Sequence, residues 1–147
     1  MITVKQLLKT KSPNIWTIES KVTAYKALQL MSERQIGAVM VLEKGKLVGV
    51  FSERDYARKV ILKGKSSKDT LVSELMSHPV CYVRPEQTIE DCMALMTAKR
   101  IRHLPVLEND QLIGIVTIGD VVKTIISEQK FTIQQLENYI TGGGYGH

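Results

Sequence analysis

Hydrophobic positions along the chain switch between two periods, and the switch happens twice. Ile15-Trp16-Thr17-Ile18 predicts a short strand. Ala24, Ala27, Leu28 and Met31 then fall at helical spacing, the stripe of an amphipathic helix. Two apolar runs follow, Ala38–Leu42 and Leu47–Phe51, split by the polar Glu43-Lys44-Gly45-Lys46. Such a pair predicts a hairpin. A further helix is expected from Glu53. The same order returns with Val80-Cys81-Tyr82-Val83, with Ile89, Cys92, Met93 and Met96, and with Leu104–Leu107 and Leu112–Val116 around Glu108-Asn109-Asp110-Gln111. A last helix is expected from Ile118. Thr88 with Asp91 three residues on is a capping-box pattern that starts the helix of the second copy.

Shifting the chain by 65 residues aligns Thr17–Ile61 with Tyr82–Ile126 without a gap. Leu30/Leu95, Met31/Met96, Gly49/Gly114 and Asp55/Asp120 are among the identical pairs. The chain therefore reads as a duplicated β-α-β-β-α unit. One copy is a small sheet with helices on one face, too little to stand alone. The expected fold is α+β (α/β-like): two repeats packed sheet to sheet about a pseudo-twofold axis, with paired clefts between them. Beyond the second copy, Thr132 as N-cap, Gln135 at N3 and a Phe131–Leu136 staple predict a separate C-terminal helix over Ile133–Ile140. The glycine-rich 142–147 is expected to be a flexible tail.

Composition narrows the field. With 147 residues, 44% of them hydrophobic and 24% charged, the chain is an ordinary globular one. It is too short for a (β/α)₈ barrel of about 250 residues. Its longest apolar run, Ala38–Leu42, is far below the ~18 residues of a membrane span. Met1-Ile2-Thr3-Val4-Lys5 has no basic, then apolar, leader pattern, so a cytoplasmic location away from membranes is expected. The net charge of +5 favours anionic partners. The cluster Arg58, Lys59, Lys63, Lys65 and Lys68 reads first as a solvated linker after a helix C-terminus. Without stacking aromatics it is a poor nucleic-acid patch. Cys81 and Cys92 match neither a disulfide framework nor a zinc pattern, and the histidines do not cluster, so no metal is expected. Gly64-Lys65-Ser66 resembles the end of a phosphate-binding loop, but Lys59 stands where that loop needs glycine.

The recurring chemistry is Gly-h-h-[Ser/Thr]-x-x-Asp, where h is apolar, at a strand-to-helix junction: Gly49 to Asp55, and Gly114 to Asp120. Ser or Thr followed three residues later by an acid is first of all a helix cap. The same geometry suits a nucleotide. A helix N-terminus offers N–H groups and a positive dipole to phosphate, a fixed carboxylate can accept from a ribose diol, and a glycine lets a ligand approach the backbone. No hydrolase, zinc-protease or dinucleotide-fold template is present.

Together these motifs resemble a tandem pair of cystathionine-β-synthase (CBS) domains, the Bateman module. Ile101-Arg102-His103-Leu104-Pro105-Val106 is similar to the family's approach to its central strand, and Phe51-Ser52-Glu53-Arg54-Asp55-Tyr56-Ala57-Arg58 to the stand-alone bacterial and organellar subgroup. The resemblance spans about residues 3–128. It divides the chain into repeat 1 with a short N-terminal helix (1–64), a linker (65–74), repeat 2 (75–128), a C-terminal helix (129–141) and the tail. It implies a non-catalytic regulatory module that binds AMP, ADP or ATP, with NAD and S-adenosylmethionine as further adenosine-containing ligands. It places the ribose on Asp55 and Asp120 with the hydroxyls of Ser52 and Thr117. It places the adenine against Thr17, Ile18, Ala38 and Val39, and against Tyr82, Val83, His103, Leu104 and Pro105. Arg54, Arg102 and His103 are the phosphate candidates, with Arg84 behind them. Gly119 stands where the first copy has Arg54, so the two clefts should differ. No catalytic cofactor is implied. A homodimer through the helices and a regulated protein of unknown identity are expected partners. The alternative is a nucleic-acid or protein-interaction module with vestigial clefts, favoured only by the net charge.

Overall fold

A computed structural model describes residues 1–141; the expected flexible tail lies outside them. After helix α1 (Val4–Leu8), the first repeat runs β1 (Thr17–Glu19), α2 (Ala24–Arg34), β2 (Ala38–Glu43), β3 (Lys46–Ser52) and α3 (Glu53–Tyr56). α3 continues as a π-helical turn over Ala57–Ile61, and a 3₁₀ turn covers Val72–Glu74. The second repeat has α4 (Ile89–Lys99), β4 (His103–Glu108), β5 (Gln111–Thr117) and α5 (Ile118–Ile140).

The duplication is visible in the backbone. α2 and α4 begin at Thr23 and Thr88, whose side chains accept from the N–H three residues on. They end at Gln35 and Arg100, both left-handed at φ 54°, a geometry that closes a helix C-terminus. Each hairpin turns through two residues at positive φ, Lys44-Gly45 and Asn109-Asp110, the handedness that suits a two-residue loop. Both hairpins carry an irregularity at the same place, Val41/Leu42 and Val106/Leu107.

The first strands differ. β1 pairs parallel with β2, Thr17 opposite Met40, giving a three-stranded sheet. The strand expected at Val80–Val83 shrinks to a single bridge, Val83 to Val106, beside a two-stranded sheet. Sequence supplies the reason. Met40 donates its N–H to the Trp16 carbonyl, whereas Pro105, at the equivalent place, has no N–H to donate. Pro85 also closes the segment two residues after Val83.

The cores are assembled by exchange. Val4 and Leu7 of α1 lie in the second core with Val83, Ile89, Leu104 and Val116. Val72 and Leu75 lie in the first, with Val39, Val41, Phe51 and Val60. Thr3 bridges to Thr88 as Leu71 bridges to Thr23. The N-terminal helix, expected with repeat 1, thus completes repeat 2, and the end of the linker completes repeat 1. Gly49 and Gly114 are what permit this. A Cβ at Gly114 would sit 2.6 Å from Leu8 Cδ2, and one at Gly49 would sit 2.7 Å from Met76 Cγ. These glycines clear room for the exchanged segments, where the sequence suggested room for a ligand.

The C-terminal helix is present but not separate. α5 is continuous over 23 residues, because nothing after Gly119 breaks the helical pattern. Thr132, expected as an N-cap, sits inside α5 and donates its hydroxyl to the Glu128 carbonyl. Phe131 and Leu136 are exposed rather than stapled.

Candidate functional site

Each Gly-h-h-[Ser/Thr]-x-x-Asp motif folds as a capping box. Ser52 Oγ accepts from the Asp55 N–H at 3.2 Å while Asp55 Oδ2 accepts from the Ser52 N–H at 2.9 Å and from its hydroxyl at 3.1 Å. Thr117 and Asp120 repeat the two backbone bonds at 3.1 and 2.9 Å. The strand hands the hydroxyl residue to the helix in extended geometry, so both carboxylates are locked at a helix N-terminus.

Around Asp55 the repeats leave a cleft of about 750 Å³, within the ~300–1,000 Å³ of small-molecule sites. Repeat 1 supplies Ser52, Arg54, Asp55 and Arg58 to it, and repeat 2 supplies Lys99, Arg100, Arg102 and His103. Pro79, Val80, Cys81, Ile101 and Val50 give it an apolar side. Five cationic side chains face two carboxylates, Glu53 and Asp55, so the cleft concentrates anions. Arg54 Nη1 donates to the Arg100 carbonyl at 2.8 Å, which ties the two walls together and leaves the rest of its guanidinium fork for a ligand. Lys59 Nζ lies 3.3 Å from Asp55 Oδ1 and donates to the Leu75 carbonyl at 2.9 Å, and the Ser77 hydroxyl donates to Asp55 Oδ1 at 3.4 Å.

Asp120 is held differently. Lys11, from the α1–β1 loop, donates to Asp120 Oδ2 at 2.6 Å and to the Ile115 carbonyl at 2.7 Å. His103 lies between the two motifs. It pairs with Thr117 across the β4–β5 ladder, and its ring sits 3.6 Å from where a Gly37 Cβ would be. Burial first, then Arg102 and Lys11, hold its imidazole below the ordinary value of 6.5, against the pull of Asp120.

The structure therefore brings Ser52, Arg54, Asp55, Arg102 and His103 into one cleft. Thr117 and Asp120 form the second motif, beside His103. Thr17, Ile18, Ala38, Val39, Tyr82, Val83, Leu104 and Pro105 do not line the cleft. Ala38, Val39, Val83, Leu104 and Pro105 are buried, in or beside the strands, and Tyr82 is exposed. Motif 1 faces the start of β4, in the other repeat. Sequence reasoning missed Pro79, Val80 and Cys81, hidden because their expected strand does not form, and Arg58, Lys99 and Arg100. The Lys99-Arg100-Ile101-Arg102 run was the available signal. Among the described residues, no group of three or more His, Cys, Asp or Glu could hold a metal ion, and no helix is long and apolar enough to cross a membrane.

A duplicated α+β unit with exchanged segments and a capped carboxylate on an interrepeat cleft defines a class of paired-repeat modules. A family model for the CBS domain matches residues 3–62 and 72–127; the chain belongs to the CBS-domain family, as a tandem pair. A mitochondrial CBS domain-containing protein of Arabidopsis thaliana, CBSX3, is 37% identical over 96% of this chain and 73% of its own length. YhcV of Bacillus subtilis is 33% identical, covering 88% and 89%. A solved CBS-domain structure from Burkholderia ambifaria superposes with a TM-score of 0.83 at 48% identity, covering 86% of this chain and 96% of that one. Proteins of this kind are generally regulatory, ligand-binding modules rather than catalysts.

Proposed function

We propose that this chain binds an adenosine-containing nucleotide, AMP, ADP or ATP before NAD or S-adenosylmethionine, in the cleft at Asp55, and signals by changing shape on binding. One observation carries the reading: a locked carboxylate and a concentration of arginine and lysine share one interrepeat cleft. Asp55 accepts from the ribose hydroxyls, exchanging its long contacts to Lys59 and Ser77 for them. Arg58, Arg100 and Arg102 take the phosphates, as guanidinium forks do. The apolar side at Val80, Cys81 and Ile101 takes the base. Because both repeats line the cleft, an occupied site biases the angle between them, provided the nucleotide prefers one arrangement. No catalytic cofactor enters this reading.

A homodimer in the cytoplasm, acting on a regulated protein, belongs to the same proposal. Ile118, Val122, Ile126, Ile133, Leu136 and Ile140 are all exposed along one face of α5. Ile126, Ile133 and Ile140 recur every seven residues, the spacing at which a helix seats against a copy of itself. Light scattering should report a dimer, and Ile126→Lys with Ile133→Lys should release monomers that keep their fold.

The test of the ligand is calorimetric titration of protein stripped of nucleotide with AMP, ATP, NAD and S-adenosylmethionine. Saturable binding that Asp55→Ala weakens at least about tenfold is the expected result. No binding by folded protein, or salt-dependent binding of RNA or DNA that survives Asp55→Ala, would overturn it.

A further inference from the structure

The two motifs are the same in sequence logic and differ in where their cation comes from and how closely it sits. Asp55 faces the open cleft, and its cation, Lys59, comes from the next turn of its own helix with a 43% exposed side chain. Asp120 meets a cation from another part of the chain. Both lysines also donate to a backbone carbonyl, Lys59 to Leu75 at 2.9 Å and Lys11 to Ile115 at 2.7 Å, but Lys11 stands closer to its carboxylate, 2.6 Å against 3.3 Å, and is less exposed at 27%. The ammonium sits on the oxygen that also closes the capping box with the Thr117 N–H.

We infer that Lys11 is an internal occupant of the second motif and sets how many nucleotides the chain accepts. The inference rests on the nucleotide reading of the first cleft and deepens it. A ribose diol needs a carboxylate able to accept two hydroxyl hydrogens. At Asp120 it must first displace an ammonium held at 2.6 Å, where Asp55 has one at 3.3 Å, and it finds Gly119 where the first motif offers Arg54. The exchange of segments explains how Lys11 arrives there. α1 packs on the second core through Val4 and Leu7, so the loop after it passes over the second motif. Where the linker makes the equivalent passage over the first motif, it brings Asp55 no cation, only the Ser77 hydroxyl at 3.4 Å, and Pro79 lines the cleft.

Lys11 is thus a specificity-determining residue. Wild-type chain binds one nucleotide, at Asp55. Removing the ammonium while keeping most of the side chain's bulk, in Lys11→Met, exposes Asp120 and creates a second site. Titration of stripped wild type, Lys11→Met, and Lys11→Met with Asp120→Asn, using AMP and then ATP, decides it, with the thermal midpoint confirming that each variant folds. One site in wild type, two in Lys11→Met and one again in the double variant is the expected series. Two sites in wild type, or one in both wild type and Lys11→Met, overturns the role of Lys11 and leaves the first cleft standing. No binding in wild type with one site in Lys11→Met upholds Lys11 and overturns the reading of the first cleft. No binding in either overturns both.

Discussion

Asp55 and Asp120 occupy equivalent turns of a duplicated fold, yet one lines a 750 Å³ cleft with a lysine of its own helix beside it, and the other holds a lysine from the far end of the chain more closely. Their own repeats are close to superimposable in logic: strand, hydroxyl cap, carboxylate, helix. What separates them arrives from outside, because each motif is overlain by a segment from elsewhere in the chain. The linker brings Ser77, Pro79, Val80 and Cys81 to the first; the N-terminal loop brings Lys11 to the second. Duplication copies the scaffold, and the exchanged segments set what surrounds each carboxylate.

The largest expected contrast is in ligand binding. Hydrogen bonds to a charged group are worth about 1.5–3 kcal/mol, or roughly 10–100-fold in affinity. Asp55→Ala should weaken nucleotide binding by that factor, whereas Asp120→Ala should change it less than about twofold. Equal losses in the two variants would break the comparison.

The exchange itself gives the next effect. Overfilling a packed site costs about 1–3 kcal/mol, so Gly114→Ala, which meets Leu8, should lower the unfolding free energy by that amount in a denaturant titration. Leu8→Ala in the same chain should recover part of the loss. Gly49→Ala should cost a similar amount, because its Cβ would crowd Met76 as far in as Cγ and Cβ, at 2.7 and 3.0 Å, where the side chain cannot swing clear.

Much of this was legible in the sequence, and the failures have physical causes. The duplication, both hairpins and both capping boxes follow from periodicity and short spacings. Val80–Val83 read as a strand because period alone cannot register that its partner, Pro105, lacks an N–H. α5 read as two helices because Thr132 satisfies a cap pattern that a continuous apolar stripe overrides. The exchange of α1 and the crossed lining of the cleft are long-range facts, set by which core buries Val4 and Leu7, and no local spacing encodes them. Lys11 escaped notice for the same reason: its partner lies 109 residues away.

A smaller effect tests the ground between the motifs. His103 holds its proton more weakly in the folded chain than in the unfolded one, chiefly through burial. Below about pH 6.5 the unfolded state therefore binds more protons, and stability falls as the pH drops from there through the lowered folded value. His103→Gln should flatten that part of the stability profile, by less than the glycine substitutions move it. An unchanged acid slope would contradict the placement of His103.

The smallest concerns the thiols. Burial, with Asp91 beside it, pushes Cys92 up to about 11, and its side chain is fully buried. Cys81 lines the cleft. A thiol reagent at neutral pH should modify Cys81 first and Cys92 only on unfolding, and nucleotide should slow the first reaction.

The most direct test of the central claim is backbone amide hydrogen exchange with and without saturating AMP or ATP, read segment by segment. Slowed exchange at residues 52–58 and 99–103, with 117–121 unchanged, is what the asymmetry of the two motifs predicts. Protection centred on 117–121, or none in either segment, would contradict it.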